Sequence, residues 1–147
     1  MDARLSYRQA ATRGARPLQL VILLYQQGID DLRRALAAVH MNDIESRTRE
    51  INHALEVIGQ LQGTLDREEG GEVAATLDRF YDQMRAGLVE AHLQQSAAAL
   101  EEQISHLMLV HDAWCEADRS TAALAHRPAT SQSPAEDEPS SFAEWNA

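Results

Sequence analysis

Three short stretches carry residue types that can do chemistry. In "EEGGE", residues 68–72, a glycine pair sits where a helix can begin. A phosphate-binding loop needs glycines at set spacing, backbone N–H groups aimed at the anion, and usually a Lys. This stretch has neither the spacing nor the Lys, and Glu68, Glu69 and Glu72 would repel phosphate. The pattern predicts punctuation instead: a glycine in the left-handed conformation ends one helix, and Glu72 favours the N-terminus of the next. In "EINH", Glu50 and His53 have the spacing by which helical bundles hold two irons through paired Glu-x-x-His motifs. A second copy is missing. Glu102 and His106 are four apart, His111 is five beyond His106, and the first helix offers only Asp30 and Asp31. The favoured reading is a solvent-facing Glu and His; a carboxylate-bridged metal bundle enzyme is the alternative. The third stretch holds Cys115, with Glu116 and Asp118 nearby. Those anions raise a thiol pKa rather than lower it, so no nucleophile is expected there. No catalytic residue, metal or cofactor is expected.

The elements that position these residues are helical almost throughout. After Pro17, a favourable first-turn residue, Leu18, Ile22, Tyr25, Ile29, Leu32, Leu36 and Val39 alternate by four and three. That spacing is one stripe on a helix. Val21, Leu24, Gly28 and Ala35 widen it. "HMND" ends this helix, and Asn42 with Glu45 reads as a capping box for the second. The second helix carries Ile44, Ile51, Leu55, Ile58, Leu61 and Leu65, up to the glycine break. The third carries Val73, Leu77, Phe80, Tyr81, Met84, Leu88 and Ala91. Ser96 suits the N-cap of the fourth, which carries Leu100, Ile104, Leu107, Val110, His111 and Trp114. Long amphipathic helices with short links predict an all-α fold, an antiparallel four-helix bundle.

The length of 147 residues suits one domain, and the net charge is −10 with every one of the thirteen cations an Arg. A uniform acidic balance argues against nucleic acid and against anionic membrane surfaces. No apolar run reaches the ~18 to 20 residues that span a bilayer. A single Cys fits a reducing cytosol. Residues 1–16 lie off the helical pattern and are expected to form a separate N-terminal segment ahead of the bundle domain, residues 17–119. From Ser120 the composition turns Pro- and Ser-rich and acidic, so residues 120–147 are expected to be a disordered tail. Phe142 and Trp145 in that tail are incidental, or else the docking motif of a generic helical adaptor.

Gly28, Gly59, Gly63 and Gly87 fall inside predicted helices, at roughly 1 kcal/mol each relative to Ala. They mark either close helix approach or grooves left open for a partner's helices. The apolar stripes are wider than a simple bundle seam needs, and the surplus suits burial in a partner.

An ordered set of residues resembles one family. Tyr7 with Gln9 comes first, then Pro17, Leu20, Leu24, Tyr25 and Gly28. Ile51, Asn52, Ala54, Ile58, Leu61 and Leu65 follow. Gly70, Gly71, Glu72, Leu77, Tyr81, Asp82, Met84, Leu88 and Ala91 come next, then Ala113 and Trp114. Together they resemble the FliS family of flagellar secretion chaperones, from about Tyr7 to Trp114. "RGARP" before the first helix, Gln26 after the Leu-Tyr pair and "AHLQQS" after the third helix depart from the family's pattern.

The resemblance implies a cytosolic binding protein. It implies a bundle that holds the disordered C-terminal region of flagellin in apolar grooves, blocks premature polymerisation and delivers the subunit to the flagellar export apparatus. It also implies that residues 1–16 form a short N-terminal segment packing on the bundle, a movable plug that carries Tyr7 and engages the export gate. Tyr25, Asn52, Leu55, Tyr81, Met84 and Leu88 are the expected residues around the grooves.

Overall fold

The computed structural model describes residues 17–125, and these form four α-helices. They are α1 (Pro17–His40), α2 (Ile44–Gly63), α3 (Gly71–Gln94) and α4 (Ala97–Ala125). There is no strand among the described residues. The chain divides into two compact units, Met1–Cys115 and Glu116–Ala147. Of the second unit the structure describes the helical stretch up to Ala125, through and past the composition change at Ser120. There Thr121 donates to the Ala117 carbonyl at 2.9 Å, and Arg119 pairs with Glu116. Residues 1–16, and the tail after Ala125, lie outside the described residues.

Within the first unit the helices run up, down, up, down. Asp31 and Arg34 of α1 meet His53 and Glu50 of α2 in antiparallel order. Arg47 of α2 meets His92 of α3, and Gln62 meets Asp78 and Asp82. Gln26 and Arg33 of α1 meet His111 and Met108 of α4. The expected antiparallel four-helix bundle is therefore what the chain forms. Its core is aliphatic around two tyrosines. Leu24, Leu32, Ile51, Ile58, Leu61, Met84, Leu88, Leu100 and Leu107 are almost fully buried with Tyr25 and Tyr81. Ile44 and Val73, expected on the inner stripes, are exposed. Each lies in the first turn of its helix, where the stripe has already passed the end of the core.

Two turns at the same end of the bundle are built alike. After α1, Asn42 takes φ 58°, and Asp43 N–H donates to the Ala38 carbonyl at 2.8 Å. After α3, Gln95 takes φ 54°, and Ser96 N–H donates to the Ala91 carbonyl at 3.1 Å. Both satisfy the last free carbonyls of the helix through a left-handed residue. Asn42 is thus spent on closing α1, and the residue that caps α2 is Asp43, one position later than the capping box expected. The Asp43 carboxylate accepts from Ser46 N–H at 3.1 Å and from the Ser46 hydroxyl at 2.7 Å. Those bonds hold it below the usual carboxylate range. Ser96 caps α4 as expected, accepting from Ala99 N–H at 3.0 Å.

The glycine pair works differently from its expected role. The second helix already ends at Gly63, with the Thr64 hydroxyl donating to the Leu61 carbonyl at 2.6 Å. Asp66 then organises a turn of its own, accepting from the N–H groups of Glu68 and Glu69. Gly70 closes that turn onto the Asp66 carbonyl at 2.7 Å, where a side chain would strike backbone. Gly71, at φ +54°, is the left-handed residue, and it opens α3 instead of ending α2.

The helical glycines divide between both readings. At Gly28 a methyl group would meet Val57 and Leu107 at ordinary contact distance. At Gly87 it would overlap the Gln103 side-chain amide, so here α4 presses a polar side chain onto the α3 backbone. At Gly63 there is open space.

Candidate partner-binding surface

Of the seven residues expected to meet a partner, Tyr7 lies outside the described residues. Tyr25, Tyr81, Met84 and Leu88 are interior, each at most 1% exposed. The two tyrosines meet across the core, from α1 to α3, with their hydroxyls 2.7 Å apart and their rings tilted by 54°. Burial pushes both phenols above their ordinary range; Tyr81 and Trp114 pull Tyr25 partly back. Trp114 packs half-buried against this core. Its indole N–H acts on the Tyr25 hydroxyl and is buried without a hydrogen-bond partner. Asn52 is exposed and Leu55 half-buried on α2, so these two present surface as the chain stands.

Glu50 and His53 do not face solvent as a free pair. His53 Nδ1 lies 2.7 Å from Oδ2 of Asp31, whose side chain is fully buried. Arg34 donates to Asp31 at 2.6 Å and to Glu50 at 2.9 Å, and Gln27 donates to Asp31 at 3.0 Å. Burial pushes the Asp31 carboxyl above the usual carboxylate range, and His53, Gln27 and Arg34 pull it back. Burying a carboxylate without partners is costly, so this set of donors is what the position requires. Glu50 and His53 have separate partners, and no group of three or more His, Cys, Asp or Glu among the described residues is arranged to hold a metal ion. Sequence spacing could not find this network, because its centre is an Asp on the other helix.

The seam between α1 and α4 carries a cleft of about 320 Å³. Its floor is Ile29 and Met108. Its rim is Asp30 and Arg33 from one side and His111 and Asp112 from the other, with Gln26 at one end. Few bonds cross it. The Gln26 amide nitrogen is 3.4 Å from His111 Nε2, and Arg33 donates to the Met108 sulfur at 3.6 Å. Asp112 lies 3.1 Å from His111 Nδ1. In the tautomer with its proton on Nδ1, that N–H donates to Asp112 and Nε2 accepts from Gln26. Cys115 Sγ, half-buried, approaches the same Nε2 at 3.6 Å. The stripe pattern gave no sign of the cleft, since Ile29 is a core position and Met108 falls off the stripe of α4.

Apolar side chains also stand free. Leu93 and Leu109 are each 73% exposed, and Met41 and Ile44 are more than half exposed. Arg47 Nε donates to His92 Nδ1 at 3.3 Å, so the start of α2 lies beside the end of α3. Met41, Ile44 and Leu93 therefore share one end of the bundle. Among the described residues no helix is long and apolar enough to cross a membrane.

The chain matches known proteins over most of its length. The family described as Flagellar protein FliS matches residues 1–121. Flagellar secretion chaperone FliSB of Pseudomonas aeruginosa is 36% identical over 118 residues, 78% of this chain and 94% of that protein. Flagellar secretion chaperone FliS of Salmonella typhimurium is 32% identical over 107 residues, 72% of this chain and 79% of its own length. The Bacillus subtilis chaperone of the same name is 29% identical over 115 residues, 78% of this chain and 85% of that protein. With a family match over residues 1–121 and a relative 36% identical over most of its length, this chain belongs to the FliS family of flagellar secretion chaperones.

Proposed function

We propose that this chain is a cytosolic chaperone for flagellin. It binds the disordered C-terminal region of the subunit, prevents premature polymerisation and hands the subunit to the flagellar export apparatus. The observation that carries this reading is the apolar surface the bundle leaves unburied: the α1–α4 cleft and the exposed Leu93, Leu109, Met41 and Ile44. A disordered segment that folds on binding must bury a large apolar area to offset its ordering cost. Exposed apolar side chains on a strongly acidic chain supply that area while charge keeps the chain soluble. Asn52 and Leu55 offer direct contact from α2. Tyr25, Tyr81, Met84 and Leu88 join the contact where the helices part to admit the segment. Tyr7 belongs to an N-terminal segment that the partner displaces and that engages the export gate.

The test is calorimetry of the full chain against the host's flagellin with and without its C-terminal segment. Expected are one-to-one binding with a negative heat-capacity change, and no binding once the segment is removed. Equal binding of both forms of flagellin, or none at all, would sink the reading.

A further inference from the structure

The α1–α4 cleft has the chemistry of an anchoring pocket, and its rim says what should flank the anchor. At about 320 Å³ it lies at the low end of the ~300 to 1,000 Å³ range of ligand pockets, so it fits side chains better than a whole small molecule. Two antiparallel helices frame it, and the groove between such helices runs along their axes, where a third helix lies most easily. The floor is apolar and adaptable: Ile29 is fixed in the core, while Met108, 37% exposed, has a flexible thioether that moulds to what enters. The rim is charged unevenly. It holds two carboxylates, Asp30 and Asp112, against one guanidinium, Arg33, with the His111 imidazole, counted uncharged, 3.1 Å from Asp112. Arg33 is only loosely engaged, 4.0 Å from Asp30, with both side chains more than half exposed. An exposed pair of that kind contributes little and gives way readily. Asp112 is 74% exposed.

We propose that this cleft is the specificity pocket for the exported partner, resting on the flagellin reading above. It takes one aliphatic side chain of an amphipathic helical segment onto Ile29 and Met108. An Arg or Lys of the same segment, three or four residues away and therefore on the same helical face, pairs with Asp112 or Asp30. Counted with His neutral, the rim is net −1 on a chain of net −10, and it selects a cationic flank and disfavours an acidic one.

Calorimetry with the full chain and a peptide of the flagellin C-terminal segment tests this. Met108→Glu should weaken binding about tenfold or more. The double change Asp30→Asn and Asp112→Asn should weaken it and reduce its dependence on salt. Because Asp30 and Asp112 are surface residues, that variant should melt with the wild type and remains informative even if Met108→Glu folds poorly. A peptide with its Arg and Lys changed to Glu should bind Asp112→Arg better than it binds the wild type. Wild-type affinity in all these variants, with flagellin still bound, overturns the pocket and leaves the chaperone reading standing. Loss with Met108→Glu alone overturns the cationic flank. A Met108→Glu chain that sediments as a monomer where the wild type is a dimer assigns the cleft to a second copy and overturns the proposal. Absence of any flagellin binding overturns both this inference and the reading it rests on.

Discussion

At the scale of single residues, the tyrosine pair is the position where a small change has a sharply defined consequence. Tyr25 and Tyr81 each satisfy a buried hydroxyl with the other. Removing one takes away the other's tyrosine partner, at about 1 to 3 kcal/mol, with the Trp114 indole left beside Tyr25 alone, whereas removing both is closer to neutral. Tyr25→Phe and Tyr81→Phe should therefore each lower stability, and the double change should cost clearly less than the sum. Urea unfolding of the four proteins measures this, and strictly additive losses would mean the hydroxyls do not cooperate. The ionisation of the pair follows from the same burial. Both folded phenols titrate above the unfolded value of about 10. Their contribution to stability is thus present below that pH and lost as pH rises through the folded values, so the two ionise together with alkaline unfolding. Each tyrosine was legible as a member of an apolar stripe. Their meeting was not, since 56 residues separate them and periodicity orders neighbours on one helix only. The same limit hid Asp31, whose spacing looks polar and whose environment is set by His53 across the seam.

At the scale of elements, periodicity and capping residues placed the four helices, and the errors fell at their ends. Asn42 and Asp43 are both good capping residues, and only the left-handed backbone at Asn42 decides which of them caps α2. The early stop at Gly63 depends on Thr64 and Asp66 making local bonds that an apolar stripe continuing to Leu65 conceals. The α1–α2 hairpin also has a pH signature. The folded carboxyl of Asp31 titrates above its ordinary 3.8, chiefly through burial. A raised folded value contributes stability that is full below the unfolded pKa and lost as pH rises through the folded one. Asp31→Asn keeps an acceptor for Gln27 and Arg34 and cannot ionise. Its stability relative to the wild type should therefore improve as pH is raised from ~4 through the carboxylate range. Denaturant midpoints of both proteins across that range test the sign; a relative loss with rising pH would place the Asp31 carboxylate in net favourable surroundings. Asp31→Ala removes the shared acceptor of Gln27, Arg34 and His53, while Arg34 keeps Glu50, and should cost about 1 to 3 kcal/mol by the same denaturant midpoints.

At the scale of the molecule, the bundle was the most legible feature and the partner surface the least. An all-α antiparallel arrangement follows from stripe spacing and short links, which are local properties. A cleft is a place where two helices fail to fill their seam, and that depends on side chains from both. The N-terminal segment belongs to this scale, because its proposed role is an exchange with the partner. Tyr7→Ala should alter release of flagellin, or docking to the export gate, more than it lowers the melting temperature. The comparison is a pull-down on the export gate set beside a thermal melt, and a large melting shift with unchanged docking would make Tyr7 a structural residue.

The unpaired indole N–H of Trp114, set beside Tyr25, gives the protein an internal light meter. The sequence has two tryptophans, so Trp145→Phe leaves Trp114 as the single emitter. Water reaching that N–H shifts its emission to longer wavelength, and a dry helix laid over it shifts emission the other way. A fluorescence trace in a mixing experiment would then distinguish a bundle that parts to receive its cargo from one that is merely covered by it.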